Sequence, residues 1–517
     1  MNEHAVLTAG MMAGIVTILV VNYLKSPWRR LPPGPRGLPI IGNALQLVGE
    51  PWLKFSAWRK QHGDILYLNA AGQPTVVANS HKVATDLLDR RAGIYSDRSP
   101  NIVACDIMTG GLFLSLSPYG DLWRRMRKAG HESLNTVVAH NFHESQSLEA
   151  LLLARDTMTK PAAWDKHLRR ASASMVMTCI YDEPPVSRCY AASIEDDPKI
   201  SYIDDFTHRL VKAASPGAYW VEMMPWMRHI PSKFAAWKRT AEGWRRKDED
   251  VFGGMYEHVL ENIAKGNERP SLCATLGHDA NRLGLSPLEN SWIAATLYQG
   301  GFETTYSTMS WWSYAMLAHP EYQVRAQEEL DLVVGRARVP TFADLANLPF
   351  ISAMVKEILR WRPILPIGVP HRSIQDDFYN GYFIPQGTIV IPNVWEMNRD
   401  KEVYGADADN FNPARHLDKE GKLLKGLPGT KEENHHTFGF GRRICIGRHI
   451  ANNSLFIDMA TCLWAFSFTN PKAQVVDVDA FVDKGLILHP QPFEINIKPR
   501  FPEALKMLSL ECELRRS

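Results

Sequence analysis

The sequence predicts a mainly α-helical body with small β-sheets behind an N-terminal transmembrane helix. Three observations predict it: an uncharged run at residues 5–24, apolar residues at helical spacing through the middle and end of the chain, and only short alternating stretches between them. At 517 residues, 45% hydrophobic and 22% charged, the chain is long enough to bury a large core. Its 15 tryptophans and 33 prolines imply bulky packing and many loops. With 58 basic against 56 acidic residues, the charge balance gives no global argument for nucleic-acid binding. Seven scattered cysteines without a CxxC pair argue against a disulfide framework or a zinc cage and for a reducing compartment.

The stretch AVLTAGMMAGIVTILVVNYL, Ala5 to Leu24, is about as long as a helix that crosses the hydrocarbon core of a bilayer. Glu3 precedes it, and Lys25, Arg29 and Arg30 follow. The positive-inside rule therefore makes residues 1–4 lumenal and the rest of the chain cytosolic. A cleaved signal peptide fits poorly, because no positive charge precedes the apolar run and no small-x-small cleavage site is evident. Pro32, Pro33, Pro35 and Pro39 then stop the helix, so residues 25–42 form a basic, proline-rich hinge. With no repeat and no low-complexity tract, residues 43–517 read as one continuous body.

Within that body, Ser286-Pro287-Leu288-Glu289 supplies an N-cap, a proline at the first helical position and a glutamate at the third. The helix it opens runs to Ala318, and HPEYQ starts another. Gly300 and Gly301 interrupt it at a cost of about 1 kcal/mol each relative to alanine. Either a flat or bulky object approaches the backbone there, beside Glu303 and Thr304, or a second helix crosses closely. A further helix spans FISAMVKEILRWRP, with Ile351, Met354, Val355, Ile358 and Leu359 on its core face. Glu357 and Arg360 lie on the other side at the spacing common in surface ion pairs. GYFIPQGTIVIPNVW reads as a hairpin, and PFEINIKP as a strand.

The stretch TFGFGRRICIG fences Cys445 with glycines and arginines just before the apolar run Ile450 to Phe466. The unpaired N–H groups of a helix N-terminus favour a thiolate, which serves as a nucleophile or as a metal ligand. His435, His436 and His449 are available as a base for a cysteine hydrolase, and His435 and His436 could join Cys445 in a zinc site.

The pattern Phe438-x-x-Gly441-x-Arg443-x-Cys445-x-Gly447 is similar, position for position, to the haem-ligand loop of the cytochrome P-450 family. Other segments resemble the same family in order. Glu357-x-x-Arg360 resembles its core helix pair. Phe411, Pro413 and Arg415 resemble the segment that closes a Glu–Arg–Arg cluster, with Ala414 where an acid is usual. Gly300 to Thr305 resembles its oxygen-activation groove, and Trp123-x-x-x-Arg127 its propionate-binding helix.

The resemblance implies the helix-rich triangular prism of that fold for residues 43–517, with Cys445 as axial ligand of heme b. It implies Trp123, Arg127, Arg443 and His371, or Arg372 beside it, around the propionates, Phe438 shielding the sulfur, and Gly301 making room for the cofactor. Thr304 and Glu303 would deliver protons. Phe113, Leu297, Leu365, Ile367, Leu486 and Ile487 would line an apolar substrate site. The implied activity is a monooxygenase fed from NADPH by NADPH-cytochrome P-450 reductase, with cytochrome b5 left open as a helper. Arg124, Arg125 and Lys128 form either a patch for an acidic reductase or a solvated face. The anchor and hinge resemble those of microsomal members, implying a monomeric, single-pass protein of the endoplasmic reticulum. SPGAYWVEMMPWMRHIP resembles fungal members of secondary metabolism, implying a terpenoid substrate first and an aromatic or polyketide one otherwise. The rival readings are a haem-thiolate isomerase or dehydratase independent of oxygen, and a membrane-tethered haem sensor.

Overall fold

Ser286 caps the longest helix of the described residues, Pro287–Ala318, through a complete capping box: Glu289 N–H donates to Ser286 Oγ at 3.2 Å, and Ser286 N–H to Glu289 Oε2 at 2.6 Å. This central helix is 32 residues long and buried nearly all round, so its stability comes from packing on every face. The computed structural model describes residues 14, 17, 21–22, 24–183, 198–215, 217–427, 430, 432–471, 476–483 and 487–515. Most of the predicted span 5–24 and the substrate-lining candidate Leu486 lie outside them. No helix among the described residues is long and apolar enough to cross a membrane.

Where the sequence reads as one body, the chain divides into two compact units. One comprises Met1–Asp97 and Ile367–Glu396, the other Arg98–Pro366 and Met397–Ser517. The first holds a four-stranded sheet ordered Ile65–Ala70, Gln73–Ala78, Ile389–Pro392, His371–Arg372, packed on Phe55, Leu66, Leu68 and Val77. The proline hinge docks on this sheet: Tyr67 N–H donates to Pro33 O at 2.8 Å. A Cβ at Gly34 would come within 2.0 Å of Tyr67 O, so only glycine fits there.

The predicted hairpin is not one. Tyr382–Ile384 pairs with Asp377–Tyr379, whereas Ile389–Pro392 joins Gln73–Ala78 in parallel. A distant edge captured the second half, and local alternation carries no record of that. The C-terminal strand, Asn496–Pro499, pairs antiparallel with Phe466–Thr469.

The second unit is helical. The central helix packs along Trp164–Tyr181, and Arg448–Ala465 along His143–Thr159. Helix Pro349–Trp361 buries the predicted face, and it also buries Glu357 and Arg360, both 0% exposed, so the surface-pair reading does not hold. Arg360 clamps Glu357 with bonds of 2.8 and 2.7 Å, Arg415 Nε lies 3.1 Å from Oε1, and His416 Nε2 lies 2.9 Å from Oε2. Burial alone would raise the Glu357 pKa, but Arg360 and then His416 override it and hold the carboxyl well below its usual range.

A folded pKa below the unfolded one means that this stabilisation is present above the unfolded carboxylate range and drains as pH falls through the folded pKa. Glu357→Ala leaves the buried Arg360 without a carboxylate, while Arg415 keeps Asp407, and is expected to cost about 3–5 kcal/mol at neutral pH. Thermal melts check it: the gap to wild type narrows as acid protonates the wild-type carboxylate, and equal melting temperatures at pH 7 would mean that the cluster contributes nothing.

Candidate active site

Cys445 stands three residues before helix Arg448–Ala465, on a loop folded back on itself. Its N–H donates to Phe438 O at 2.8 Å, and Gly439 and Gly441 have φ of 79° and 53°, a conformation that favours glycine. The loop is tied to helix Pro349–Trp361. Thr437 Oγ1 donates to Leu359 O at 2.6 Å, and Asn398 bridges Arg360 O (3.2 Å) to Thr437 Oγ1 (3.0 Å) while its Oδ1 accepts from His436 N–H (2.9 Å).

Cys445 is an exposed residue, although protein atoms crowd around its thiol. Burial raises its pKa; the Gly447 N–H, Arg127 and Arg448 oppose that without reversing it. A coordinating metal cation deprotonates a bound thiol outright.

Trp123 and Arg443 converge on one carbonyl: Trp123 Nε1 donates to Leu114 O at 3.1 Å, and Arg443 Nη1 donates to the same atom at 3.1 Å. Arg443 also reaches Ser117 O at 2.8 Å and lies 4.0 Å over the Trp123 ring. Arg127 donates to Ile444 O. It pairs with no carboxylate among the described residues, and burial, helped by Arg448, pushes its pKa down to about 10 against the pull of Cys445. A guanidinium has five N–H donors, so one carbonyl leaves capacity for an anion. Helix Asp121–Leu134 meets the cysteine loop and the central helix at Gly130, where a Cβ would lie 3.2 Å from Ile446 Cδ1 and 3.5 Å from Leu297 Cδ1.

His435 and His436 are buried without reaching a metal-binding cluster, and no group of metal-ligating side chains exists among the described residues. His435 Nδ1 accepts from Thr437 N–H at 3.2 Å, and its ring lies 5.3 Å from Phe438. Neither the zinc site nor a hydrolase base finds support in this arrangement.

The central helix divides its glycines between the two readings of the sequence. A Cβ at Gly301 would meet Val176 Cγ2 at 3.0 Å, so Gly301 serves the crossing with helix Trp164–Tyr181. A Cβ at Gly300 would meet nothing within 4 Å. Thr304 Oγ1 donates to Gly300 O at 2.7 Å, on the open side, and Thr305 Oγ1 to Gly301 O at 2.8 Å, on the packed side.

His371 belongs to the first unit, buried, with Nδ1 2.7 Å from Tyr95 O; Arg372 Nη1 lies 3.6 Å from Asp97. Ile367 lies in that unit too, against the Phe55 cluster. In the second unit Phe113 and Leu297 join one apolar cluster, and Leu365 and Ile487 another. The basic residues are paired only in part on their own helix: Arg124 and Arg125 share Asp121 at 3.3 Å each, and Lys128 lies 3.8 Å from Glu132, which Arg282 also reaches.

An accessible sulfur at the end of a glycine loop, with cationic and indole donors around it and a bare helix turn at Gly300, fits a flat anionic macrocycle holding a thiophilic metal. The cytochrome P450 family model matches residues 32–497. The chain belongs to the cytochrome P450 family.

A cytochrome P450 monooxygenase of Armillaria gallica is 55% identical over 505 residues, covering 97% of this chain and 96% of its own. Cytochrome P450 monooxygenase 58 of Postia placenta is 44% identical over 500 residues, 96% and 93% of the two chains. A third, iboC of Amanita muscaria, is 39% identical over 536 residues, covering 94% of each. This P450 is thus an oxidoreductase of the monooxygenase class with a haem-thiolate cofactor. Cys445 would hold the iron, and Arg127 and Arg443 would meet the propionates, whereas the single N–H of Trp123 is given to Leu114 O in this structure. Bound there, haem supplies the activation of dioxygen and the transfer of one of its oxygen atoms to substrate.

The two glycines of this P450 are expected to respond differently to alanine. Gly300→Ala gains helix propensity worth up to about 1 kcal/mol, whereas Gly301→Ala loses that gain against Val176. Thermal melts of the two variants decide it, and a Gly301→Ala protein more stable than Gly300→Ala would refute the division.

Proposed function

We propose that this P450 takes NADPH-derived electrons from a separate NADPH-cytochrome P450 reductase and hydroxylates or otherwise oxidises a hydrophobic small molecule, with a fungal terpenoid the first candidate and an aromatic or polyketide metabolite the second. The observation that carries the oxidative reading is the Glu303–Thr304 pair at the helix turn that Gly300 leaves open. An acid beside an alcohol serves proton delivery to a reacting oxygen, which an isomerase or a sensor does not need. In this reading Thr304 holds a proton at Oγ1 on the open side, and Glu303 resupplies it. Phe113, Leu297, Leu365 and Ile487 are apolar and wholly or partly buried, so they exclude water and favour an apolar substrate. The chain carries no flavin or nicotinamide fingerprint, so its electrons come from a partner.

The proposed location is the endoplasmic reticulum membrane, with residues 5–24 as anchor and the catalytic part cytosolic. In the first unit Leu38, Ile40, Leu45 and Val48 are 56, 96, 63 and 67% exposed, close behind that anchor in the chain. In the second, Trp220, Met223, Trp226 and Phe234 are 69, 61, 64 and 73% exposed. Apolar and indole side chains in water at this density suit a lipid interface.

The test is incubation of microsomes with reductase, NADPH and a panel of fungal terpenes, read as products heavier by one oxygen. Cys445→Ser is expected to abolish the red-shifted Soret band of the reduced carbon-monoxide complex. Thr304→Ala is expected to keep that band while hydrogen peroxide replaces much of the product. Product formation without NADPH would sink the reading in favour of an isomerase. Deletion of residues 1–24 is expected to lower membrane association while haem content stays full, and a haem-free truncate would make the segment structural.

A further inference from the structure

The central helix carries Glu303, Ser307 and Trp311 four residues apart, which puts them on one face. That face is covered by the strand Leu488–Pro490. Leu488 O accepts from Ser307 Oγ at 2.6 Å and from Trp311 Nε1 at 3.0 Å, and Leu488 N–H donates to Ile364 O at 3.0 Å. Three hydrogen bonds therefore fix the backbone one residue before His489. His489 is 4% exposed and carries its ring toward Glu303, with Nε2 and Oε1 3.1 Å apart. The distance is that of an ion pair, although the contact does not meet the criteria of a hydrogen bond.

The surroundings leave the carboxylate polar support on its other side. Arg169 lies over the rings of Phe302 and Tyr306 at 5.6 and 5.1 Å. Burial works against the charge of Arg169, yet Glu303 and Asp204 hold its pKa above the ordinary value. The Tyr306 ring lies tilted by 42° at 5.4 Å from the His489 ring, and its hydroxyl donates to the exposed Asp165 at 2.6 Å. Glu303 thus has an imidazole nitrogen 3.1 Å away and a guanidinium near enough to act on electrostatically, one residue from the alcohol it is read as resupplying.

We propose that His489 is the positioning residue of the Glu303 carboxylate. It sets the direction in which the acid points, and it couples that direction to the strand that begins beside Ile487. The proposal rests on the proton-delivery reading of Glu303. A histidine held beside a carboxylate restricts its rotamers, which bears on how readily a proton passes to Thr304.

The test uses haem-loaded, full-length protein. His489→Phe fills the volume of the ring without a nitrogen, and His489→Gln keeps a donor at similar reach. In melts of His489→Phe, Glu303→Leu and the double variant, the combined loss in melting temperature is expected to fall short of the sum of the single losses by about two degrees or more. With reductase, NADPH and oxygen alone, and no organic substrate, His489→Phe is expected to change both the peroxide released per NADPH and the solvent deuterium isotope effect by about twofold. His489→Gln is expected to restore both. Additive melts, or unchanged peroxide yield and isotope effect in a fully haem-loaded His489→Phe protein, overturn the proposal. A wild type without the thiolate Soret band would instead sink the underlying reading, while the melting cycle still reports the contact.

Discussion

Glu357 is removed from water entirely, and a carboxylate in that position costs several kcal/mol unless partners replace its hydration. Arg360, Arg415, His416 and the Asn412 N–H do so, and in doing so they draw a stretch some fifty residues further along the chain onto helix Pro349–Trp361. The remaining three donors of Arg360 reach Asn398 O, Ala408 O and Asn410 O, at 2.6, 2.7 and 2.9 Å. Asn398 in turn holds His436 and Thr437, which begin the loop that ends at Cys445. The sulfur is therefore positioned by a relay of hydrogen bonds that starts at one buried charge. Its direct neighbours contribute the last step only.

The central helix shows how one element can serve several purposes without compromise. Successive positions turn by about 100°, so Gly300 and Thr304 share an open side, Gly301 and Thr305 the crossing with Val176, and Glu303, Ser307 and Trp311 the strand at Leu488. Two adjacent glycines then have two unrelated causes. One avoids a steric clash, and the other leaves the backbone bare beside an alcohol.

What the sequence made legible was local. The capping box at Ser286, the apolar face from Ile351 to Leu359 and the glycine pattern around Cys445 each depend on residues within a few positions, and each appears in the structure. What was hidden depends on partners far along the chain. The burial of Glu357 needs carbonyls from Asn398 to Asn410, and the fate of Ile389–Pro392 needs the edge of Gln73–Ala78. The roles of Gly300 and Gly301 need Val176. The thiol itself is a case of magnitude: the helix terminus lowers its pKa as the sequence suggested, but burial is the larger effect.

His489 belongs with the hidden features, because nothing in ILHP marks a histidine that will face an acid on the central helix. Its placement follows from constraints already in force. Ser307 and Trp311 are buried donors that need acceptors, and one carbonyl with two lone pairs satisfies both. Once Leu488 O is held in that way, the alternation of a strand turns the next side chain along the same helix face, toward Glu303. A packing requirement thus delivers an ionisable ring to the acid proposed to deliver protons. The strand beginning beside Ile487 is then held by the same bonds that set the acid, so a displacement of one is transmitted to the other.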